Sequence, residues 1–527
     1  MRGLIRSLGV VGMALLSVVG LVVAWTATTV VQLAATALIM GGTGHPLSSP
    51  EDDPVGYINP YMSNAIDGFI NPAFASTGPG GIPIDEVGPG DDRYAVVTPE
   101  QFFPVSGSMT FDASVTAGLA NVSRCIRGST DCAYNPAVPG APAGTPDATD
   151  EFAVFGYSQS AVVASLLKKD IIENPGGYPD LEPGDVSFFL LSNPMRPNGG
   201  VLARGPEGLT IPIIGITFHG ATPTDSCNAS GECYDTADVA AQYDILGGDA
   251  PASLTNLLAI ANAVAGYYYF HGDMQNASLE DAEYQGSHGD TDYYLVRAQR
   301  LPILMPFEAF VPSPILTLLE APLKAAIEAG YARDVNPGVA TKVGLLPFRD
   351  PVQAIVNIVK AIPVGIDDAI AEASGDENNR PLGTDPVTSP FGVGGSELPD
   401  PASADGDENS MVSSRLGDDP GHGALEGESG EEQVDEGQVI EAGALEEEGA
   451  DNLDATTPRV GPRPVTRVGE QIRNTLDSIR LPKIRGPIRF DSQRDTTPSS
   501  PATPGDNNTA PDAPDSTPAE AASPAAA

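Results

Sequence analysis

Ser158 lies in the stretch EFAVFGYSQSAVVASLL, Glu151 to Leu167, where an apolar β-type run meets Gly156 and then passes into an Ala/Val/Leu-rich segment of helical character. A serine at the apex of a strand, a tight turn and a helix is lifted clear of its surroundings, with its hydroxyl placed for nucleophilic attack. Gly156 permits the sharp bend. The amide of Gln159, at the start of the helix, points where an oxyanion would form. The second small position is Ser160, where most such motifs carry glycine. An ordinary strand-to-helix turn would share this pattern, so the chemistry depends on partners elsewhere.

A nucleophilic serine needs an imidazole to take its proton and a carboxylate to hold that imidazole in the useful tautomer. With a nucleophile of this kind both partners follow in the chain, acid before base. Of the five histidines, His219, His271, His288 and His422 lie beyond Ser158. His422 falls in an acidic tail, and His219 precedes the best acid candidates. His271 follows the helical stretch Leu254 to Ala265 and is the expected base, on what should be an exposed loop. His288, between Ser287 and Gly289, is its main rival. Asp244, at the end of the strand-like run Val239 to Tyr243, is the expected acid. Asp249, in the same glycine-rich loop, and Asp225, beside Cys227, are the alternatives. For each histidine the plain alternative is a surface residue without a role.

These side chains need a scaffold. Thr36 to Met40 reads as a first buried strand, ending in Gly41, Gly42, Thr43, Gly44, His45 and Pro46. A glycine cluster there allows close backbone approach to a ligand, and the amides around Gly42 and Thr43 are expected to give the second oxyanion donor; a plain turn is the alternative. No GxxxxGK[ST] pattern is present, so a recognisable P-loop is excluded. Further strands are expected at Tyr94 to Thr98, Val186 to Leu191 and Ile213 to Phe218, with a helix over Phe111 to Arg127. Apolar runs separated by helical stretches predict an α/β fold, a mostly parallel sheet covered on both faces.

The remaining segments stand apart by composition. Residues 1–36 are apolar behind Arg2 and Arg6, and Leu8 to Trp25 is long enough to cross a bilayer, so an uncleaved signal anchor is expected in preference to a removed signal peptide. The catalytic domain, 37–372, would then face outward. From 373 the chain is rich in Pro, Gly, Ser and acid and is expected to be unfolded, apart from a basic amphipathic stretch over 459–494 that could touch an anionic membrane or a partner protein. The formal net charge of -43 argues against nucleic acid as a partner. The region 301–364 is apolar and Pro-rich, readable as a lid or lipid-facing groove or as domain core. Four cysteines fall in two close pairs, Cys125 with Cys132 and Cys227 with Cys233, which suits two small disulfide loops in an oxidising compartment. A zinc site is the competing reading, weakened by the absence of CxxC spacing. No metal and no cofactor are expected.

The residues from about Leu38 to Arg349 resemble the PE-PPE domain of mycobacterial envelope proteins, a cutinase-like serine α/β-hydrolase. The matching segments are LIMGGTGHP, GYSQSA, FHGATPTD, DVAAQYD, NAVAGYYYFHGDM and GDTDYYLV, in order. The resemblance implies a catalytic serine at Ser158, the acid at Asp244 and the base at His271. One departure stands out: QYDILGGDAP is longer and richer in glycine than the family's usual sequence after QYD. With a membrane segment in front, the chain looks like the anchored, cutinase-like acyltransferases of acyltrehalose glycolipid synthesis at the outer face of the plasma membrane. That resemblance implies acyl transfer between lipid esters, with plain ester hydrolysis as the alternative. A different class remains alongside it: a non-catalytic envelope scaffold that binds lipid, or a lipid transporter, through its tail.

Overall fold

Buried apolar runs, rather than alternating ones, build the central sheet. In the computed structural model, which describes residues 35–48, 53–75, 87–88 and 92–399, the strands are β1 (Thr36–Ile39), β2 (Arg93–Ala95), β3 (Phe152–Tyr157) and β4 (Val186–Leu191), a small separate hairpin of β5 (Thr210–Ile211) and β6 (Ile216–Thr217), then β7 (Thr236–Ala241), β8 (Ala282–His288) and β9 (Thr291–Val296). The seven-stranded sheet runs β2-β1-β3-β4-β7-β9-β8. All of its pairings are parallel except β8 with β9. Every residue of β1, β3, β4, β7 and β9 is buried, as expected when a parallel sheet is covered on both faces.

Alternation along β3 shows what covers each face. Phe152 and Val154 enter one apolar cluster with Val115 and Val122 of helix α3 (Phe111–Ile126) and Val163 and Leu167 of helix α4 (Gln159–Glu173). Phe155 points the other way, where its ring meets Tyr61 of α1 (Val55–Asn64) and Phe69 of the following π-helical turn. Short helices α2 (Asn71–Ala75) and α5 (Val201–Arg204) complete this half. Beyond β7, helix α6 (Leu257–Phe270) packs with α7 (Ser313–Glu328) around Tyr243, Ala259, Leu304 and Ile327, and α7 pairs with the long helix α8 (Pro351–Ser374).

Several expectations need correction. The apolar run Ile213 to Phe218 is not a strand of the main sheet; it makes the β5–β6 turn, with Ile213 84% exposed at positive φ, and the two-residue strand β6 of the separate hairpin. The expected strand at Val239 starts earlier, at Thr236, and the hairpin β8–β9 was not expected as strands. The domain boundary at 372 falls short. Residues 375–399 continue to pack: Phe391 is buried with Ala240 and Leu295, and Gln242 donates from its side chain to the Pro390 carbonyl. The expected membrane anchor, the stretch 459–494 and His422 lie outside the described residues. Among the described residues no helix is long and apolar enough to cross a membrane. Cys125–Cys132 and Cys227–Cys233 are disulfides, which removes the zinc reading of those four residues.

Candidate active site

The turn between β3 and α4 forces Ser158 into an uncommon backbone conformation, φ 57° and ψ -110°. Strain of this kind at a non-glycine residue persists where the surroundings over-determine it. Here they do. A Cβ on Gly156 would lie 2.4 Å from the Ser160 carbonyl oxygen, so only glycine fits. Ser160 accepts from the Tyr157 amide at 2.8 Å through its hydroxyl and clasps the turn, which explains a serine where glycine is usual.

The C-terminal ends of β3, β7 and α6 bring three side chains together. Ser158 Oγ lies 2.8 Å from His271 Nε2, and His271 Nδ1 lies 2.6 Å from Asp244 Oδ2. Asp244 is wholly buried, while His271 keeps 12% of its side chain exposed. The other oxygen of Asp244 accepts the amides of Leu246 and Gly247 at 3.2 and 2.9 Å. With both of its oxygens accepting, the carboxylate accepts a hydrogen bond from Nδ1–H, which keeps the proton on Nδ1 and leaves Nε2 free to accept from the serine hydroxyl. A Cβ at Gly247 would sit 2.0 Å from Asp244 Oδ2, so the unusual glycines of this loop serve the acid directly. His271 itself is held by its backbone: its carbonyl accepts from the Tyr157 hydroxyl. The Tyr267 ring lies 4.8 Å from the imidazole.

The rival residues are placed elsewhere. Asp249 is buried in a two-pronged ion pair with Arg333, 2.5 and 2.9 Å, and accepts the Tyr243 amide at 2.7 Å, so it braces the turn that carries Asp244. His288 ends β8, the edge strand, with β4, β7 and β9 between it and β3. His219 faces Asp112 at 3.5 Å, and Asp225 is exposed.

The glycine loop after β1 lies against the serine turn. A Cβ on Gly42 would fall 2.8 Å from the Tyr157 ring, so glycine lets the Gly42–Thr43 backbone approach the nucleophile. Gln159, as first residue of α4, has an amide that the helix leaves free. Sequence reasoning missed the bracket that ties these two donors together. The Glu100 carbonyl accepts from the Gly44 amide at 2.7 Å, and the next carbonyl, that of Gln101, accepts from the Gln159 side chain at 2.9 Å. Glu100 has a positive φ of 46°, and burial pushes its carboxyl up to about 8. A cavity of about 550 Å³ opens beside the bracket, lined in part by Gly44, Glu100, Gln101 and Ser106. Asp53, accepting from His45 and the Leu47 amide at 2.9 Å each, fixes the far side of the loop. No local signal marks Glu100 or Arg333, because each acts on a residue far away in the chain.

Comparison with known proteins agrees with this arrangement. Residues 89–332 match the PE-PPE domain. The matched region contains Ser158, Asp244 and His271; the glycine loop precedes it. The chain is 32% identical over 374 residues to Esterase PE16 of Mycobacterium tuberculosis, covering 69% of this chain and 61% of that protein. It is 31% identical to PE family protein PE3 of the same organism over 61% of this chain and 64% of PE3. An uncharacterized PPE family protein, PPE42, is 32% identical over 64% of this chain and 51% of its own length. The chain therefore spans less than two thirds of each of these relatives. No solved structure matches.

Proposed function

We propose that this chain is a serine enzyme of the α/β-hydrolase kind that acts on fatty acyl esters through an acyl-serine intermediate. The observation that carries the reading is the continuous relay from Ser158 through His271 to buried Asp244. His271 takes the Ser158 proton as Oγ attacks the ester carbonyl, and the amides of Gln159 and the Gly42–Thr43 loop receive the oxyanion. The protonated imidazole, steadied by Asp244, then gives its proton to the departing alcohol. Acyl-Ser158 remains. A second hydroxyl, from water or from a sugar, loses its proton to His271, attacks the acyl carbon, and releases the serine with its proton restored. An intact relay speaks against a non-catalytic scaffold, since binding alone does not call for three side chains in this register.

Transfer onto a trehalose glycolipid at the outer face of the plasma membrane is the finer form of the proposal, and hydrolysis is its alternative. The two disulfides support an oxidising compartment, and the uncharged sequence between Arg6 and the glycine loop supports an anchored chain. The name of the relative Esterase PE16 supports ester chemistry in either form. Lipid profiling of cells carrying Ser158→Ala tests it: a partly acylated trehalose lipid accumulates under the transfer reading, and an unchanged profile counts against it.

A further inference from the structure

Helix α8 carries its apolar residues on the wrong side for a core. Ala354, Ala361 and Gly365 are buried, whereas Val352, Ile355, Val356, Val359 and Ile362 recur at helical spacing and are exposed, Val352 by 75% and Val359 by 59%. The neighbouring elements extend this face. Helix α7, packed along α8, exposes Ile315, Leu318 and Leu319. Leu345 and Leu346, also exposed, are stitched to the start of α6 by hydrogen bonds from the Thr255 and Ser253 hydroxyls to their carbonyls, 2.8 and 2.6 Å. Along α6 itself, Leu257, Val264 and Tyr268 are exposed, and its last turn carries Tyr267 and leads into His271.

A surface of this kind marks an interaction site, and its charge says what it meets. The chain has a net charge of -43, yet from Pro351 to Ile366 the single charged residue is Lys360, α6 has none, and the two carboxylates of α7, Glu320 and Glu328, are taken up by Arg300 and Arg333. Carboxylates are excluded from a hydrocarbon margin, and one exposed lysine suits a phosphate-bearing headgroup, with its stem lying along apolar surface. Two further observations point the same way. The exposed apolar residues of α6 end at Tyr267 and Tyr268, and the Tyr267 ring lies 4.8 Å from the imidazole of His271, so this end of the face adjoins the relay. Ahead of β1, the sequence from Ser7 to Ala35 has no Asp, Glu, Lys or Arg, a length that suits a bilayer segment and would keep the domain beside its lipid.

We infer that the outer face of α6, α7 and α8 seats the enzyme on a lipid surface and presents ester substrates from that layer to Ser158. The delivery half of this inference rests on the ester chemistry proposed above; the seating half does not.

The test uses the full chain reconstituted in phosphatidylcholine/phosphatidylglycerol vesicles. The four native cysteines are in disulfides, so Val359→Cys and, as a control, Thr130→Cys in the exposed disulfide loop after α3 take one environment-sensitive fluorophore each. Nitroxide-bearing lipid should quench the label at 359 at least threefold more than that at 130. Equal quenching at both sites, or none at 359, overturns the inference, as does oxidation of Val359→Cys to a covalent dimer in place of quenching, which gives the face to a second copy. In a second arm, Ile355→Asp with Val359→Asp should lower turnover of a vesicle-borne ester at least tenfold and leave a soluble short-chain ester unaffected. Equal losses on both esters overturn delivery. Site-selective quenching in a chain inactive on both esters would instead count against the ester chemistry and leave the seating in place.

Discussion

Replacing Asp244 by asparagine separates the two carboxylates of the glycine-rich loop. The Leu246 and Gly247 amides hold one oxygen of residue 244 as an acceptor, so an asparagine there keeps its carbonyl on those amides and turns its NH2 toward His271 Nδ1. Donor would then face donor across the present 2.6 Å contact, and the imidazole must carry its proton on Nε2 instead. A ring protonated at Nε2 cannot accept from Ser158. The expected loss is about 10⁴-fold in kcat, ~5.4 kcal/mol of transition-state stabilisation, with the fold intact. Asp249→Asn removes half of the charge facing Arg333, which keeps Glu328 at 2.8 Å. Its cost falls on stability, about 3–5 kcal/mol as for a broken buried pair, with kcat within tenfold wherever the variant stays folded. Steady-state hydrolysis of a chromogenic short-chain ester, with thermal melts of each variant, reads both quantities. Asp244→Asn retaining more than a tenth of wild-type kcat, or a folded Asp249→Asn as inactive as Asp244→Asn, would refute the reasoning.

Two further predictions concern the oxyanion side. Gly42→Ala puts a Cβ 2.8 Å from the Tyr157 ring and 3.3 Å from its carbonyl oxygen, so the loop must retreat; kcat should drop about 10²–10³-fold with KM little changed, and an unaltered kcat would remove the loop from the mechanism. Glu100 is buried, one of its oxygens has no partner among the described residues, and its carboxyl is raised from 4.5 to about 8. The folded state therefore holds this proton more tightly than the unfolded one. The stability it contributes is full below about 4.5 and is lost as pH rises to about 8, about 5 kcal/mol in all. Melting curves of Glu100→Gln against wild type should diverge in the variant's favour across that window, and parallel curves would contradict the assignment.

The legible parts were those encoded locally. Gly156, Ser158 and the apolar runs around them specify a strand, a turn and a helix within one stretch, and β4 follows the run Val186–Leu191 residue for residue. Asp244 and His271 were readable because each ends an element, where side chains reach the C-terminal edge of the sheet. The parts not legible depend on the third dimension. Thr291 and Asp292 hide a buried strand, β9, behind polar residues that are satisfied only once the fold is made; Ser287 donates its hydroxyl to Asp292. The Ile213 run looked like core because composition does not reveal that a turn at positive φ faces solvent. The apolar stripe of α8 has the period of a buried helix, and only packing shows that small residues occupy the inner side. Glu100 and Arg333 act on residues 56 and 84 positions away in number, Gly44 and Asp249, and no local pattern marks such pairs.

Trapping the acyl-enzyme tests the central claim most directly. The full chain is mixed with a fatty acyl p-nitrophenyl ester, quenched in acid during the burst, digested, and the modified peptide sequenced by mass spectrometry. One acyl group on Ser158 in wild type, and none in Ser158→Ala, is the predicted result. An acyl group on any other residue, or one that persists in Ser158→Ala, would contradict it.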